Sequence, residues 1–241
     1  MPPRLHVSAP LAAGPSLALP PEAVRHAQVL RLQPGDALTL FDGAGGEWAA
    51  RIESMGRRDV TVSLLEHRPV ERELPLAITL ALAMPAGDRM DHLVEKATEL
   101  GVAAIQPLIT ERSVLRLSGE RADKRRAHWQ AIAVAACEQC GRNRVPSVHA
   151  PRPLESWLAA LGAGRGDARW LLAWRDATAF VRVRDAAMDT LQLLSGPEGG
   201  LTGSEEDTAR ACGFVPVGLG PRVLRADTAP LAVLAALALR A

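Results

Sequence analysis

The stretch Leu193-Leu-Ser-Gly-Pro-Glu-Gly-Gly-Leu-Thr-Gly-Ser-Glu205 passes from strand-like apolar residues, through a glycine-rich loop, into the opening of a helix. Gly196, Gly199 and Gly200 lack a Cβ, so the main chain there can approach a ligand closely. Thr202 and Glu205 have the spacing of a capping box, in which each side chain satisfies an orphaned backbone donor of the first helical turn. In open α/β sheets, ligands sit where such loops leave the carboxyl ends of strands. The same shape also serves an ordinary strand-to-helix turn, so these residues alone leave both readings open.

The sequence on either side alternates between strand and helix. Residues 76–84 form a continuous apolar run, as expected of a strand covered on both faces. Met90, Leu93, Val94, Ala97 and Leu100 then recur at helical spacing, after Asp88 and before Gly101. Residues 104–109 read as the next strand. Trp129, Ile132, Ala133, Ala136, Cys137 and Cys140 make the apolar stripe of a second helix, which Gly141 and Pro146 end. Further strands are expected at 170–174, 191–194 and 214–217. The fold class is therefore α/β with a mainly parallel sheet.

A second loop, residues 218–228, follows the strand at 214–217 and holds Gly218, Gly220, Pro221, Arg222 and Arg225. The two arginines suit an RNA phosphate or a developing negative charge; alternatively they pair with Asp227 and Glu198. The last segment, 226–241, has almost no polar face before Arg240. A helix apolar all round is buried all round, which a subunit interface or docking on its own sheet would provide.

The first seventy residues read differently. Residues 37–41 are β-prone, a glycine-rich turn follows at 42–46, and Trp48, Ala50 and Ile52 alternate with polar or small neighbours, as do Val60, Val62 and Leu64 with theirs. This period of two signals a half-buried sheet or small barrel. Pro20-Pro21-Glu22 opens a short helix carrying His26 and Arg31. The charged, proline-containing residues 67–75 form the linker.

Bulk properties narrow the class. The chain of 241 residues is 48% hydrophobic with a net charge of +1, enough for packed cores but too neutral for a whole-molecule pull on nucleic acid. Its basic residues are nearly all arginine, which suits phosphates but also follows from codon usage. Three cysteines and no secretory segment read as reduced and cytoplasmic. The longest apolar runs are about half of the ~20 residues that span a bilayer, so no membrane role is expected. Cys137 and Cys140 lack the second ligand pair that zinc requires and lie on an apolar stripe, so core packing is expected and no metal. Arginines and a lysine between 112 and 126 are partly offset by acids, as on a solvated helix face. Nothing matches a Walker loop or GxGxxG, which a Rossmann-type methyltransferase would be expected to show.

Four segments together carry a resemblance that covers nearly the whole chain. They are His26-Ala-Gln-Val-Leu-Arg31 with Gly35-Asp36; Lys96-Ala-Thr-Glu-Leu-Gly-Val102; Glu138-Gln-Cys-Gly-Arg142; and Gly196-Pro-Glu-Gly-Gly200 paired with Leu219-Gly-Pro-Arg-Val-Leu-Arg225. In identity and order they resemble the ribosomal RNA small subunit methyltransferase E family of the SPOUT superfamily. The resemblance implies a PUA-like RNA-binding β-barrel over 1–72 and a SPOUT methyltransferase domain over 73–241, with a trefoil knot in its parallel-sheet fold. It implies homodimers that bind S-adenosylmethionine near the subunit boundary and methylate N3 of a uridine in the 16S ribosomal RNA of the small subunit.

On this resemblance the donor is expected against Leu172, against Gly196, Pro197, Glu198, Gly199 and Gly200, and against Val217, Leu219, Gly220, Val223 and Leu224. Uridine N3 carries a proton and is a poor nucleophile until it leaves. Arg142 or Arg225 is expected to stabilise the resulting charge, with Glu138 orienting the arginine or accepting the proton. Arg4, His26, Arg31, Arg112, Asn143, Arg144 and Arg222 are expected to meet RNA. Two alternatives remain: another SPOUT activity such as tRNA ribose methylation, and a non-catalytic RNA-binding protein.

Overall fold

The computed structural model describes residues 2–12, 14, 16–85, 87–162, 167–183 and 188–239. Arg240, where the apolar run of the last segment ends, lies outside the described residues. Two compact units emerge, one formed by 1–73 with 134–145 and the other by 74–133 with 146–241.

In the first unit, strands β1 (Arg4–His6), β2 (Leu17–Ala18), β3 (Ala37–Phe41), β4 (Glu47–Met55) and β5 (Val60–Arg68) form a curled sheet in the order β1-β3-β4-β5-β2. Only the β1–β3 pair is parallel. Helix α1 (Pro21–Val29) starts on a proline, whose missing N–H would be an orphan there anyway. It buries Ala23, Val24 and Ala27 in a core with Leu5, Leu38, Leu40, Ile52 and Val62. Alternate residues of β4 and β5 face that core, the pattern that the period of two anticipates.

The second unit holds β6 (Ala77–Ala83), β7 (Ala104–Ile109), β8 (Ser147–Val148), β9 (Arg152–Pro153), β10 (Asp167–Leu172), β11 (Thr178–Ala179), β12 (Thr190–Ser195) and β13 (Val215–Gly218). Their order is β11-β13-β10-β12-β6-β7-β8, with β9 also on β7, and every pairing is parallel. Helices α2 (Arg89–Glu99), α4 (Leu154–Ala160), α5 (Phe180–Val183), α6 (Gly203–Ala211) and α7 (Thr228–Ala238) belong to this unit. Helix α3 (Gly119–Cys140) gives its residues up to Ala133 to the second unit and the remainder to the first.

The expected α/β class with a parallel sheet is the one observed. The expected strand at 170–174 instead spans 167–172, because Trp174 lies beyond the last residue that pairs with β13. Leu171 and Leu194, side by side in the register through Ala81 of β6, pack with Leu154, Trp157 and Leu158 of α4 and Ala209 of α6. Helix α7 buries Pro230, Val233, Leu234 and Leu237, whereas Leu239 just past its end is 88% exposed. Burial on all sides, expected of so apolar a helix, is thus not achieved within the described chain.

Leu194 is fully buried and meets both helices' residues. Leu194→Ala should cost ~2–5 kcal/mol, read as a lowered urea midpoint of the second unit by tryptophan fluorescence.

Candidate active site

Strands β13, β10 and β12 are neighbours and run the same way, so their carboxyl ends and the loops that follow lie together. Those loops surround a cavity of about 980 Å³ lined by 171–176, 195–201, parts of 217–226, Ala229 and the side chains of Arg89, Arg112, Glu206 and Arg210. This size is at the upper end of small-molecule sites, roughly 300–1,000 Å³.

The loop after β12 is folded tightly. A Cβ on Gly196 would stand 3.0 Å from the Leu201 amide nitrogen and 3.2 Å from its Cγ, so glycine is needed for the chain to double back. Gly200, at φ +70°, donates to the Pro197 carbonyl at 2.8 Å and closes the turn. Leu201 then sinks into the core under α4 and α6. The capping box forms as its spacing implies: Glu205 N donates to Thr202 Oγ1 at 3.3 Å, and Thr202 N to Glu205 Oε2 at 2.8 Å.

The segment after β7 clamps this loop. Arg112 Nη1 donates to the Gly199 carbonyl at 2.8 Å and the Leu201 carbonyl at 3.3 Å, and Glu111 N donates to Glu205 Oε1 at 2.8 Å. Arg89 of α2 pairs with Glu198 at 2.7 Å. Arg112, expected at RNA, thus holds the loop from inside this unit. The third loop owes its shape to Gly220 at φ +107°, while Gly218 lies so close to Ala177 that a Cβ would stand 3.3 Å from that side chain.

All eleven residues expected around the donor line this one cavity. Arg222 and Arg225 line it too, and neither side chain has a hydrogen bond or ion pair among the described residues. The alternative pairing is not formed, because Asp227 caps Thr228 N at 3.1 Å and Glu198 holds Arg89. Six arginines (89, 112, 175, 210, 222 and 225) face three carboxylates (Asp176, Glu198 and Glu206) on the lining, so the site is basic although the chain is nearly neutral. Arg89, Trp174, Arg175 and Arg210 were not anticipated; Trp174 reads as a strand residue by its apolar neighbours.

The other expected residues belong to the first unit. Arg4 donates to Glu47 Oε2 at 2.7 Å and to Asn143 Oδ1; Asn143 Nδ2 donates to the Val70 carbonyl at 2.6 Å and to Glu47 at 3.2 Å. Arg72 adds a bond to the same Glu47 oxygen at 3.2 Å. The Arg4 guanidinium also lies 4.9 Å from the Phe41 ring centre. Arg4 and Asn143 are buried and committed to this network. Arg142, only 4% exposed, grips Glu73 through its Nε and Nη2. Glu138 accepts from His6 N at 2.9 Å and faces His26 Nδ1 at 3.1 Å. Arg144 pairs with Glu71 at 3.2 Å, and Arg31, expected on α1, lies past its end at Val29, exposed and with a non-helical φ of +56°.

Burial works to raise the Glu47 carboxyl, but hydrogen bonds from Arg4, Arg72 and Asn143 overcome it and hold the group below the ordinary glutamate value. Burial pushes the Cys137 thiol up to about 12, the behaviour of a packed cysteine rather than a nucleophile or ligand. Among the described residues, no cluster of His, Cys, Asp and Glu is arranged to hold a metal.

Known proteins locate this arrangement. A family model for an RNA methyltransferase domain matches residues 72–238, and one for an RNA methyltransferase PUA domain matches 19–65. The ribosomal RNA small subunit methyltransferase E of Synechocystis sp. is 38% identical over 86% of this chain and 67% of its own length. That of Bacillus subtilis is 32% identical over 92% and 90%. The crystal structure of the Neisseria gonorrhoeae enzyme of the same name, bound to S-adenosyl methionine, superposes with a TM-score of 0.92 at 40% identity, covering 98% of this chain and 97% of that one. The chain belongs to the ribosomal RNA small subunit methyltransferase E family, as its four segments lead one to expect.

Two measurements check the site. Arg112→Ala should speed amide hydrogen exchange across 199–202 by mass spectrometry, leaving β4 and β5 unchanged. A carboxyl with a lowered native pKa stabilises above its ordinary value and loses that contribution as pH falls through the native one. The melting temperature of the first unit should therefore fall below pH ~4.5 more steeply in the wild type than in Glu47→Gln, which starts lower at neutral pH.

Proposed function

We propose that this chain, as a homodimer, transfers a methyl group from S-adenosylmethionine to N3 of a uridine in the 16S ribosomal RNA of the small subunit. The observation that carries this reading is the convergence of three carboxyl-end loops on one cavity that also presents two arginines with no partner among the described residues.

The residues present fit the donor. Leu172, Val217 and Leu224 offer apolar surface for a flat base, while Gly196, Gly199 and Gly200 bring main-chain groups to the wall with no side chain of their own between. The Arg222 and Arg225 guanidinium groups, without a partner among the described residues, are suited to a carboxylate or to RNA. When bound, the donor supplies an electrophilic methyl group on a sulfonium. The clamped loops of the chain fix its position, an alignment worth up to ~7–11 kcal/mol in favourable cases.

Arg225 stabilises the negative charge that develops on the uridine as N3 loses its proton. Arg222 holds an adjacent phosphate. Arg142 and Glu138 act as positioning residues, since each already has partners in the first unit. The first unit holds RNA through its exposed groups, Arg31 and Arg144 among them. Support for the homodimer comes from α7, where Leu231 is only half-buried and Leu239 is open. A net charge of +1 gives little general attraction to RNA, which favours a shaped substrate such as an assembled subunit.

Arg225→Ala should lower kcat on unmethylated small subunits by ~10²–10³-fold and leave the Kd for S-adenosylmethionine within a few-fold. Mass spectrometry of the wild-type product should place the methyl group on the uracil base; a ribose methyl, or full activity in the variant, overturns the assignment.

A further inference from the structure

The loop leaving β10 carries a side chain that the transferase reading does not use. Trp174 lines the cavity and is 57% exposed, an unusual state for the largest apolar side chain. The Arg175 guanidinium carbon lies 5.2 Å from the Trp174 ring centre, within cation–π range.

The backbone around this pair is held firmly. Ala173 N donates to the Val217 carbonyl at 3.1 Å on one side, and Thr178 and Ala179 pair with Val217 and Gly218 on the other. Asp176 sits at φ +50°, a left-handed conformation that few side chains adopt. Ala177 packs against the Gly218 backbone. The indole is thus displayed on a loop tied at both ends to β13.

Its surroundings identify the occupant. Val223, 69% exposed, lines the same cavity, as do Arg222 and Arg225, which have no side-chain partner among the described residues. The deeper apolar lining is Val217, fully buried, with Leu172 and Leu224 half-buried, which provides for the donor's adenine. An aromatic face flanked by arginine is the surface on which unstacked RNA bases lie, and the arginine excess complements an RNA backbone. A base that is to be methylated inside a cavity must leave its stack and needs a new surface to lie against.

We propose that Trp174 and Arg175 form a stacking platform for the unstacked acceptor pyrimidine of the RNA substrate. This rests on the transferase reading above and adds to it the surface that takes the base. The platform binds by the face of the ring and so tolerates any pyrimidine, while Arg222 holds a flanking phosphate.

The test uses the full chain with saturating S-adenosylmethionine and unmethylated small subunits. Trp174→Ala should raise KM for the subunit by ~5–150-fold, Trp174→Phe should recover most of that loss, and the Kd for S-adenosylmethionine by calorimetry should stay within two-fold for both. Uridine-containing single-stranded RNA should quench tryptophan fluorescence of the donor-saturated wild type, and this quench should vanish in Trp174→Ala. An unchanged KM, or a rise in the donor Kd that matches the KM change, overturns the platform. So does a shift of Trp174→Ala towards monomer in sedimentation, which would assign the indole to a second copy of the chain. Failure of the transferase reading is separate: it shows as no methyl incorporation by the wild type.

Discussion

The site depends on one close approach, the fold-back of Leu201 onto Gly196, where the main chain leaves no room for a Cβ. It does two things at once. Leu201 drops into the apolar layer beneath α4 and α6, and of the four residues between, Pro197 is buried while Glu198, Gly199 and Gly200 form an exposed rim. Because β10, β12 and β13 are adjacent and parallel, the same end of the sheet offers two more loops at this rim. Antiparallel neighbours would have sent one of the three to the opposite edge.

Charge is distributed unevenly on this frame. The whole chain is nearly neutral, yet the cavity lining gathers twice as many arginines as carboxylates. Some of these arginines are structural: Arg112 bonds carbonyls of the loop, and Arg89 answers Glu198. Others have nothing to bond within the described chain. The first unit shows the contrary arrangement, in which Arg4, Arg72, Glu47 and Asn143 satisfy one another. A guanidinium that is paired and buried stabilises a fold, whereas an unpaired one at a cavity wall is available to a ligand.

Much of this was legible in the residues. Apolar runs and alternation located β3–β7, β10, β12 and β13, while the two- and three-residue strands β1, β2, β8, β9 and β11 are too short to show a period, and the Thr202–Glu205 spacing located the start of α6. The glycine loop at 196–200 by itself left a ligand site and a plain strand-to-helix turn both open, and only the four segments taken together pointed to the ligand. What spacing cannot convey is which charge meets which across the chain. Glu138 and Arg142, four apart across the end of α3, have the spacing of an ion pair, yet each engages a residue more than 60 positions away. Arg112 looked like an RNA contact for the same reason: its carbonyl partners lie 87 and 89 residues onward. Trp174 was misplaced because an apolar run does not mark where pairing stops.

The discontinuity of the first unit has a consequence for how the chain is made. Residues 1–73 contain all five of its strands, but 134–145 complete it and supply Asn143, which bonds Arg4 and Glu47. During synthesis at roughly 5–20 residues per second, the nascent N-terminal sheet waits about 4–14 s for that segment. Throughout this interval Arg4 and Glu47 lack part of their shell, and the sheet is exposed to mispairing or to capture by a chaperone. Vectorial folding, one module finished before the next begins, is therefore not open to this polypeptide.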